Sequence, residues 1–480
     1  MNIDSPVKEM ISKPTHSDLA NRWISNYRSE TIANGLGCFR YYHDKWGIWK
    51  GMEQEYVDKE ILQVMEQAQE EGFRPTNGSL TSIRKLAKTK LYRAADQWDS
   101  NPYILVCKNL TLNLLNGPEP HSLNHYATKA LPYDFDPECE PTYFLHALSV
   151  LPKEVRGFFQ EFLGYCLTKD TRFEIAVWLH GPSGCGKSTI IEGIRAMAGP
   201  LACSLGLSDI ENWKFRTSLL IGKNLALATE QPANSMIALD LCNSIISGER
   251  IIIEKKYEHP FEYTPHAKII WAMIELPGIL SSQNGIYRRI NIIEMPPIPE
   301  SMRDPAFKQM IKQEGPGILN WALEGFHRLY ERGNFDIPQT IRNSAAEFRD
   351  NNDIPMQFVS VCCECGEGYR EQAQPLYEQY ARWCKNNGHE PKTSNKMAEE
   401  WKRLGFKQVK SKGRRYWKGL RIMNSGDLAR QDYSDIEEQG NKENNILINN
   451  KVSTLSTLTT LSSIPLEWNE TLSDTQRKGN

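Results

Sequence analysis

The residues with the clearest chemical purpose form the segment G-P-S-G-C-G-K-S at 181–188. It fits the pattern G-x-x-x-x-G-K-[ST], in which glycines let backbone N–H groups approach phosphate oxygens, a lysine pairs with the β- and γ-phosphates, and a hydroxyl binds Mg²⁺. The pattern predicts a site for ATP and Mg²⁺, with Ser188 on the metal. Its predicted ligands are Gly181, Pro182, Ser183, Gly184, Cys185, Gly186, Lys187, Ser188 and Thr189.

The elements around this segment are those that the pattern requires. An apolar run at 173–180 precedes it and predicts a strand, while the residues from Thr189 onward have a helical pattern. Further apolar runs at 218–229, 268–274 and 290–294 alternate with helical segments. Because such runs are typical of strands buried on both faces of a parallel sheet, the middle of the chain is predicted to be an α/β domain.

An acidic residue ends one of these runs. Glu230 closes L-A-L-A-T-E at 225–230, and we expect it at the carboxyl edge of the sheet, facing the phosphates. There it would orient or deprotonate the attacking water, or hold Mg²⁺ directly or through water. Since Thr229 precedes it, only one acid is present, and the residue pattern leaves these roles open.

The composition excludes some classes of protein. The 480 residues include 57 Lys plus Arg and 59 Asp plus Glu, for a net charge of −2, which argues against a uniformly basic nucleic-acid coat. No apolar run approaches the roughly 20 residues that span a bilayer, and Met1 is followed by a polar stretch rather than a signal peptide. We therefore expect a cytoplasmic protein with no membrane partner.

The eleven cysteines show no paired spacing, so reduced thiols are expected. One group could suggest a zinc site, namely Cys362, Cys363, Cys365, Cys384 and His389. Its irregular spacing disfavours zinc, and we expect its thiols to be buried on a helix instead.

Five further segments have a recognisable composition. They are N-P-Y-I-L-V-C-K-N at 101–109, Y-A-T-K-A-L-P-Y-D-F-D-P at 126–137, F-L-G-Y-C-L-T-K-D at 162–170, S-G-E-R-I-I-I-E-K-K-Y-E-H-P-F-E-Y at 247–263 and G-I-Y-R-R-I-N-I-I-E at 285–294. Together with the loop at 181–188, and in the same order, they resemble the superfamily 3 DNA helicases, specifically the helicase part of the phage/plasmid and poxvirus-type primase-helicases. The resemblance covers about residues 20–424. It implies an AAA-type P-loop NTPase ring, usually hexameric, that holds ATP between subunits and translocates on single-stranded DNA.

The last of these segments looks like the arginine-finger segment of the family. By the resemblance, Arg289 as first choice and Arg288 as second would reach the γ-phosphate bound to the next subunit and stabilise transition-state charge. The alternative is that one or both only pair with a carboxylate such as Glu294.

The segment 247–263 resembles a hairpin that, in the family, points into the ring channel and grips the backbone of one DNA strand. Lys255 and Lys256 lie between two strand-like runs, and His259 would add to the contact. Adjacent ammonium groups suit a sequence-independent phosphate contact, although a solvated turn would have the same composition.

One position departs from the family pattern. Where the sensor strand of the family ends with a polar Asn, the segment W-A-M-I-E-L-P at 271–277 has Ile274. An Ile side chain cannot hydrogen-bond the γ-phosphate or hold the lytic water. Either Glu275, Gln283 or Asn284 replaces the missing group, or the protein binds ATP better than it hydrolyses it. Our hypothesis is a slow but active ATPase.

Basic side chains concentrate near the C-terminus, where residues 401–424 hold nine of them and no acid. Predicted helices at 374–389 and 394–404, followed by a basic strand-turn-strand, are typical of a winged-helix module. The residues expected to contact DNA there are Lys410, Lys412, Arg414 and Arg415.

The predicted organisation has five parts. They are a flexible arm at 1–18, a mixed α+β N-terminal domain at 19–150, an ATPase domain with a helical lid at 151–345, a winged-helix domain at 346–424 and a disordered polar tail at 425–480.

Three functions are compatible with this organisation. The first is an ATP-dependent helicase of a phage, prophage or plasmid replication system in a bacterial host, acting on single-stranded and forked DNA. The second is a DNA-binding switch that uses ATP to assemble on DNA, such as a replication origin, without unwinding it. The third is the helicase partner of a separate primase, because no priming domain is recognised before residue 20.

Overall fold

The computed structural model describes most of the chain, namely residues 13–27, 31–212, 215–229, 236–237, 240–255, 259–279, 285–302, 304 and 306–423. The chain divides into two compact units, the first ending at Asn352 and the second beginning at Asp353. The predicted tail at 425–480 lies outside the described residues, as do residues 1–12 of the predicted arm. The arm prediction, 1–18, is wrong at its C-terminal end, because a capped helix begins at His16.

The N-terminal part of the first unit combines helices with two small antiparallel sheets. Its elements are α1 (His16–Ser25), β1 (Ile32–Gly35), β2 (Cys38–His43), β3 (Ile48–Gly51), α2 (Gln54–Gln67), α3 (Asn77–Lys90), β4 (Ile104–Val106), β5 (Thr111–Asn113) and β6 (Gly117–Glu119). Strands β1 to β3 form one sheet and β4 to β6 the other. The helices pack around Trp23, Ile61 and Ile83, none of which is exposed.

The rest of the first unit is built on a five-stranded parallel sheet. Its elements are α4 (Thr142–Leu148), α5 (Lys153–Cys166), β7 (Ala176–His180), α6 (Lys187–Ala198), β8 (Ala202–Ser204), α7 (Leu207–Asn212), β9 (Leu225–Ala228), β10 (Met236–Ile237), α8 (Asp240–Ser247), β11 (Ile251–Ile253), β12 (Phe261–Tyr263), β13 (Lys268–Met273), β14 (Gly278–Ile279), β15 (Ile290–Glu294), α9 (Phe307–Ile311), α10 (Gly315–Arg332) and α11 (Gln339–Asn352). The sheet order is β15-β7-β13-β9-β8, and every neighbouring pair is parallel. The prediction of an α/β core with a parallel sheet is therefore confirmed.

Both faces of this sheet are buried, which explains the apolar runs in the sequence. Along β7, Ala176 and Trp178 enter one core, while Val177 and Leu179 enter the other. Trp178 stacks on Trp271 of β13 with ring centroids 6.4 Å apart. Since successive side chains of a strand point to opposite faces, a strand with a core on each side has no polar face.

The second unit contains helices and one antiparallel sheet. Its elements are α12 (Ile354–Cys362), β16 (Cys363–Gln372), α13 (Ala373–Asn386), α14 (Ser394–Arg403), β17 (Lys407–Ser411) and β18 (Arg414–Ile422), with sheet order β16-β18-β17. Trp401 and Trp417, each 1% exposed, lie in its core. The helices predicted at 374–389 and 394–404 are α13 and α14, whereas α12 and β16 are absent from the prediction.

The cysteine prediction is partly wrong. Cys362 ends α12 and Cys384 lies in α13, but Cys363 and Cys365 lie in β16 rather than on a helix. All eleven cysteines are free. Within the described ranges, no group of His, Cys, Asp and Glu side chains could hold a metal ion. In the same ranges, we find no helix with the length and apolar character needed to cross a membrane.

Candidate nucleotide site and DNA-contacting surfaces

The segment 181–186 connects the end of β7 to the start of α6. Gly181 has φ 155° and Gly186 has φ 89°, backbone conformations that favour glycine. A Cβ at Gly181 would lie 2.4 Å from the carbonyl oxygen of Met295, so no other residue fits there without a shift. The tight loop ends at a helix N-terminus, where backbone N–H groups lack intrahelical partners and attract anions.

Lys187 is the first residue of α6, and its side chain turns back over the loop. Its Nζ donates hydrogen bonds to the carbonyl oxygens of Gly181 (2.6 Å) and Pro182 (2.8 Å) and to the Sγ of Cys185 (3.3 Å). The residue is only 7% exposed. Because these partners are neutral, the ammonium is a preplaced positive charge for a phosphate that enters the loop.

A cavity of about 180 Å³ lies beside the loop. Residues 183–188 form one wall, and the ends of β9 and β13 form the other, through Thr229, Ala272, Met273 and Ile274. The glycine loop, the buried ammonium and the Ser188 hydroxyl on one wall fit the phosphates of ATP and its Mg²⁺. Ile274 is 55% exposed, so an aliphatic side chain stands where the resemblance leads us to expect the sensor Asn.

The other predicted nucleotide ligands differ in exposure. Pro182, Ser183 and Gly184 are exposed, Cys185 is buried, and Ser188 and Thr189 are partly buried. Glu230 lies outside the described residues, and so do Gln283 and Asn284. Glu275 is exposed just beyond the cavity wall.

The two candidate finger arginines have different surroundings. The Arg289 side chain is 11% exposed and donates to Glu174 Oε2 through Nε (3.0 Å) and Nη2 (2.6 Å), and to Asn243 Oδ1 through Nη1 (3.2 Å). The Arg288 side chain is 71% exposed and lies 3.8 Å from Glu174. Arg288, the second choice from the sequence, is therefore the more accessible of the two arginines. Glu294 pairs with neither and contacts His180 Nδ1 at 2.7 Å.

Both arginines lie at the sheet edge opposite to the loop of their own chain. They precede β15, which runs parallel to β7 with Ile290 beside Ala176, whereas the loop follows the last residue of β7. Five residues at about 3.3 Å each put roughly 16 Å between the two edges. Neither arginine is therefore placed to act on a nucleotide in its own loop.

Glu174 and Asn243 are absent from the sequence prediction. Glu174 has φ 49°, a left-handed conformation that is uncommon for this residue type. It contacts Arg289 across 115 positions of sequence. A single sequence offers no local signal for such a pair.

The hairpin that carries the predicted channel lysines is present. β11 and β12 pair antiparallel, with Ile252 opposite Glu262. Lys255 Nζ lies 5.4 Å from the centroid of the Phe261 ring, and His259 is exposed. Lys256 lies outside the described residues. Tyr263 anchors the base of the hairpin, since its hydroxyl accepts a hydrogen bond from the Gly222 N–H at 2.7 Å.

The basic hairpin of the second unit joins β17 to β18 through Lys412 (φ 46°) and Gly413 (φ 80°). Positive φ at both central residues is typical of a tight type I′ turn. Like charges face each other across its strands, Lys410 opposite Arg415 and Lys407 opposite Lys418. Because such pairs destabilise a sheet, the hairpin gains from a polyanion that neutralises it. The predicted contacts Lys410, Lys412, Arg414 and Arg415 are all exposed.

Two protein families match this chain. Residues 20–164 match the family described as "D5 N terminal like", and residues 179–289 match a family of unknown function, DUF5906. The chain is also 21% identical over 263 residues to "Putative helicase L207/L206" of Acanthamoeba polyphaga mimivirus. That match covers 49% of this chain and only 27% of the viral protein. These matches support a resemblance to viral helicases and primase-helicases over parts of the chain.

Two solved structures of the NrS-1 C terminal region, both apo, are similar to the chain at 12% identity. One match covers 84% of this chain and 98% of the other, and the second covers 86% and 99%. Both have a TM-score of 0.46, which is too low to establish a common fold.

Proposed function

We propose that this chain is an ATP-dependent DNA helicase subunit of a phage, prophage or plasmid replication system, with a superfamily 3, AAA-type P-loop core. The observation that carries the proposal is the Lys187 ammonium, bound to the carbonyls of the tight glycine loop beside a cavity. The loop lies at the carboxyl edge of a parallel sheet, where α/β proteins bind their ligands. In this proposal Lys187 binds the phosphates of ATP, Ser188 holds Mg²⁺, and Glu230 acts on the lytic water or the metal.

A ring assembly follows from the same proposal. An arginine at the edge opposite to the loop can complete the nucleotide site only in a neighbouring copy, and Arg288 is exposed there. Such a head-to-tail contact closes into a ring, for which the family resemblance suggests a hexamer.

The hairpin with Lys255 would then contact single-stranded DNA. The second unit would bind forked or origin DNA as a winged helix, and a separate primase would supply primers.

The test is strand displacement on forked DNA with ATP and Mg²⁺, comparing the full chain with Lys187→Ala. We expect unwinding that requires ATP and is lost in the variant, while both proteins still bind DNA. Unwinding that survives Lys187→Ala would contradict the assignment of the site.

A second candidate function is an ATP-dependent assembly switch, which the aliphatic Ile274 beside the nucleotide cavity favours. A protein that binds ATP but hydrolyses it poorly would assemble on DNA without unwinding it. The same assay distinguishes the two functions. The chain is a switch if neither the wild type nor Lys187→Ala unwinds DNA, and if ATP retains the wild type on DNA but not the variant.

A further inference from the structure

Three of the family-like segments outside the nucleotide loop meet at one small cavity at the amino edge of the parallel sheet. Its wall includes Asp99, Lys129 and Lys169, together with Gly222 and Asn224. Lys129 belongs to the segment 126–137 and Lys169 to 162–170, while Ile104, Leu105 and Val106 bring the segment 101–109 to the same wall. The cavity measures about 30 Å³. That is roughly the room for two water-sized groups, which is too small for a nucleotide.

The cavity has an excess of positive charge. Lys129 Nζ lies against Gly222, 2.3 Å from the position that a Cβ would take, and it has no hydrogen-bond or ion-pair partner within the described part of the chain. Lys169 Nζ donates to the backbone carbonyl of Asp99. Burial lowers the pKa of both lysines, because bringing an ammonium out of water is unfavourable, and the nearby Asp99 carboxylate offsets this effect only in part.

The groups around the two ammoniums do not neutralise them fully. The Asp99 carboxylate already accepts hydrogen bonds from the Thr128 N–H (2.8 Å) and Oγ1 (2.5 Å). Burial, followed by Lys268, Lys169 and Lys129, lowers the pKa of His266 to about 3, so the ring is neutral. Its Nε2 and the Oδ1 of Asn224 are buried without partners among the described residues.

We propose that this cavity binds one phosphodiester group of a DNA strand, whose two non-bridging oxygens enter between Lys129 and Lys169. Without a ligand, the ammoniums of Lys129 and Lys169 repel each other. A phosphate between them would instead accept a charge-assisted hydrogen bond from each. DNA is the expected source because the same wall supports the hairpin β11–β12: the Gly222 N–H donates to Tyr263. This assignment rests on the proposed function of that hairpin.

The test is a salt titration of single-stranded DNA binding by the full chain without nucleotide. All proteins carry Lys187→Ala, so that the nucleotide loop contributes equally to each. Since each phosphate contact adds about 0.7 to the slope of log K against log salt, Lys129→Met should lower the slope by about that amount. Adding Lys169→Met should lower it little further, because both lysines share one phosphate. The matched control is Lys59→Met, at an exposed lysine of α2.

Thermal unfolding of the same proteins, with and without inorganic phosphate, checks that the variants fold. It also distinguishes binding of a DNA phosphate from binding of free phosphate. We expect Lys129→Met to unfold at the same or a higher temperature than its parent, since it removes a buried, unpaired charge. The proposal is overturned if the slope for Lys129→Met equals that for Lys59→Met. It is also overturned if inorganic phosphate raises the unfolding temperature only when Lys129 is present, while Lys129→Met leaves the slope for DNA unchanged. Failure of the parent to bind DNA would instead contradict the proposed function.

Discussion

Glu174 binds Arg289 through one carboxylate oxygen, which accepts hydrogen bonds from Nε at 3.0 Å and from Nη2 at 2.6 Å. This pair holds Arg289 at the amino edge of β15 and leaves Arg288, the preceding residue, exposed. Two consecutive arginines therefore have different physical roles available to them. Arg289 braces the edge of the sheet, and Arg288 can extend to another copy of the chain.

Arg288→Ala should lower steady-state ATP hydrolysis about 10³-fold, because an arginine supplied by a neighbouring subunit stabilises charge on the γ-phosphate in the transition state. The unfolding midpoint should not change, since the side chain is 71% exposed. The measurement is ATP turnover at saturating DNA. The control is Arg349→Ala, which removes an exposed arginine that forms an ion pair with the adjacent Asp350. Equal turnover in the two variants would contradict the role of Arg288.

Arg289→Ala should lower the free energy of unfolding by about 1 kcal/mol, because it leaves Glu174 and Asn243 without their shared donor at a partly exposed site. Chemical denaturation measures this change. Arg289→Lys should restore part of the stability through a single ion pair. If Arg289→Ala were fully stable and yet lacked hydrolysis, Arg289 rather than Arg288 would be the finger.

Ile274→Asn should raise the rate of ATP hydrolysis, by up to about 10²-fold, because a side-chain amide at the cavity wall could position the lytic water. Single-turnover hydrolysis, measured separately from nucleotide binding, reports this step. Ile274→Val keeps the aliphatic character and should leave the rate unchanged. If the Asn and Val variants had equal rates, the slow-ATPase hypothesis would be wrong.

The sequence predicts the centre of this fold well because its signals are local. Doubly apolar runs mark strands with a core on each side, and β7 and β13 lie within the predicted ranges. The glycine spacing at 181–186 likewise needs no distant partner to be recognised. β16 shows the opposite case: it is a polar strand with one buried residue, Cys363, and it gives no apolar alternation to detect.

The rest of the candidate site depends on contacts that a single sequence does not show. Glu174 meets Arg289 only because β7 and β15 are neighbours in the sheet. Lys129 and Lys169 converge on one cavity although 40 positions separate them. Arg288 and Arg289 are equally basic neighbours that differ in burial, and the residue types alone do not specify that difference.

Lys410→Thr should stabilise the second unit by a few tenths of a kcal/mol while weakening its binding to DNA. The substitution removes one member of the like-charged pair with Arg415 and places a residue of high strand propensity in β17. DNA affinity across a salt series should fall for every sequence tested, with a smaller salt slope. Lys385→Ala, at an exposed lysine of α13, is the control. A variant that is more stable and binds DNA unchanged would show that this hairpin does not contact DNA.

Lys268 should make stability depend on pH between about 7 and 10.5. Burial lowers its pKa from 10.5 to about 7, although Nζ donates to the Thr168 carbonyl at 2.6 Å and lies 4.5 Å from the centroid of the Tyr165 ring. In this window the unfolded chain binds more protons than the folded one, so the free energy of unfolding should rise with pH, by at most about 1.4 kcal/mol per unit. Below pH 7 Lys268 is protonated in both the folded and the unfolded chain, and the full cost of burying its charge lowers the free energy of unfolding. Urea denaturation at several pH values should give a steeper rise for the wild type than for Lys268→Met, and parallel curves would contradict the assignment.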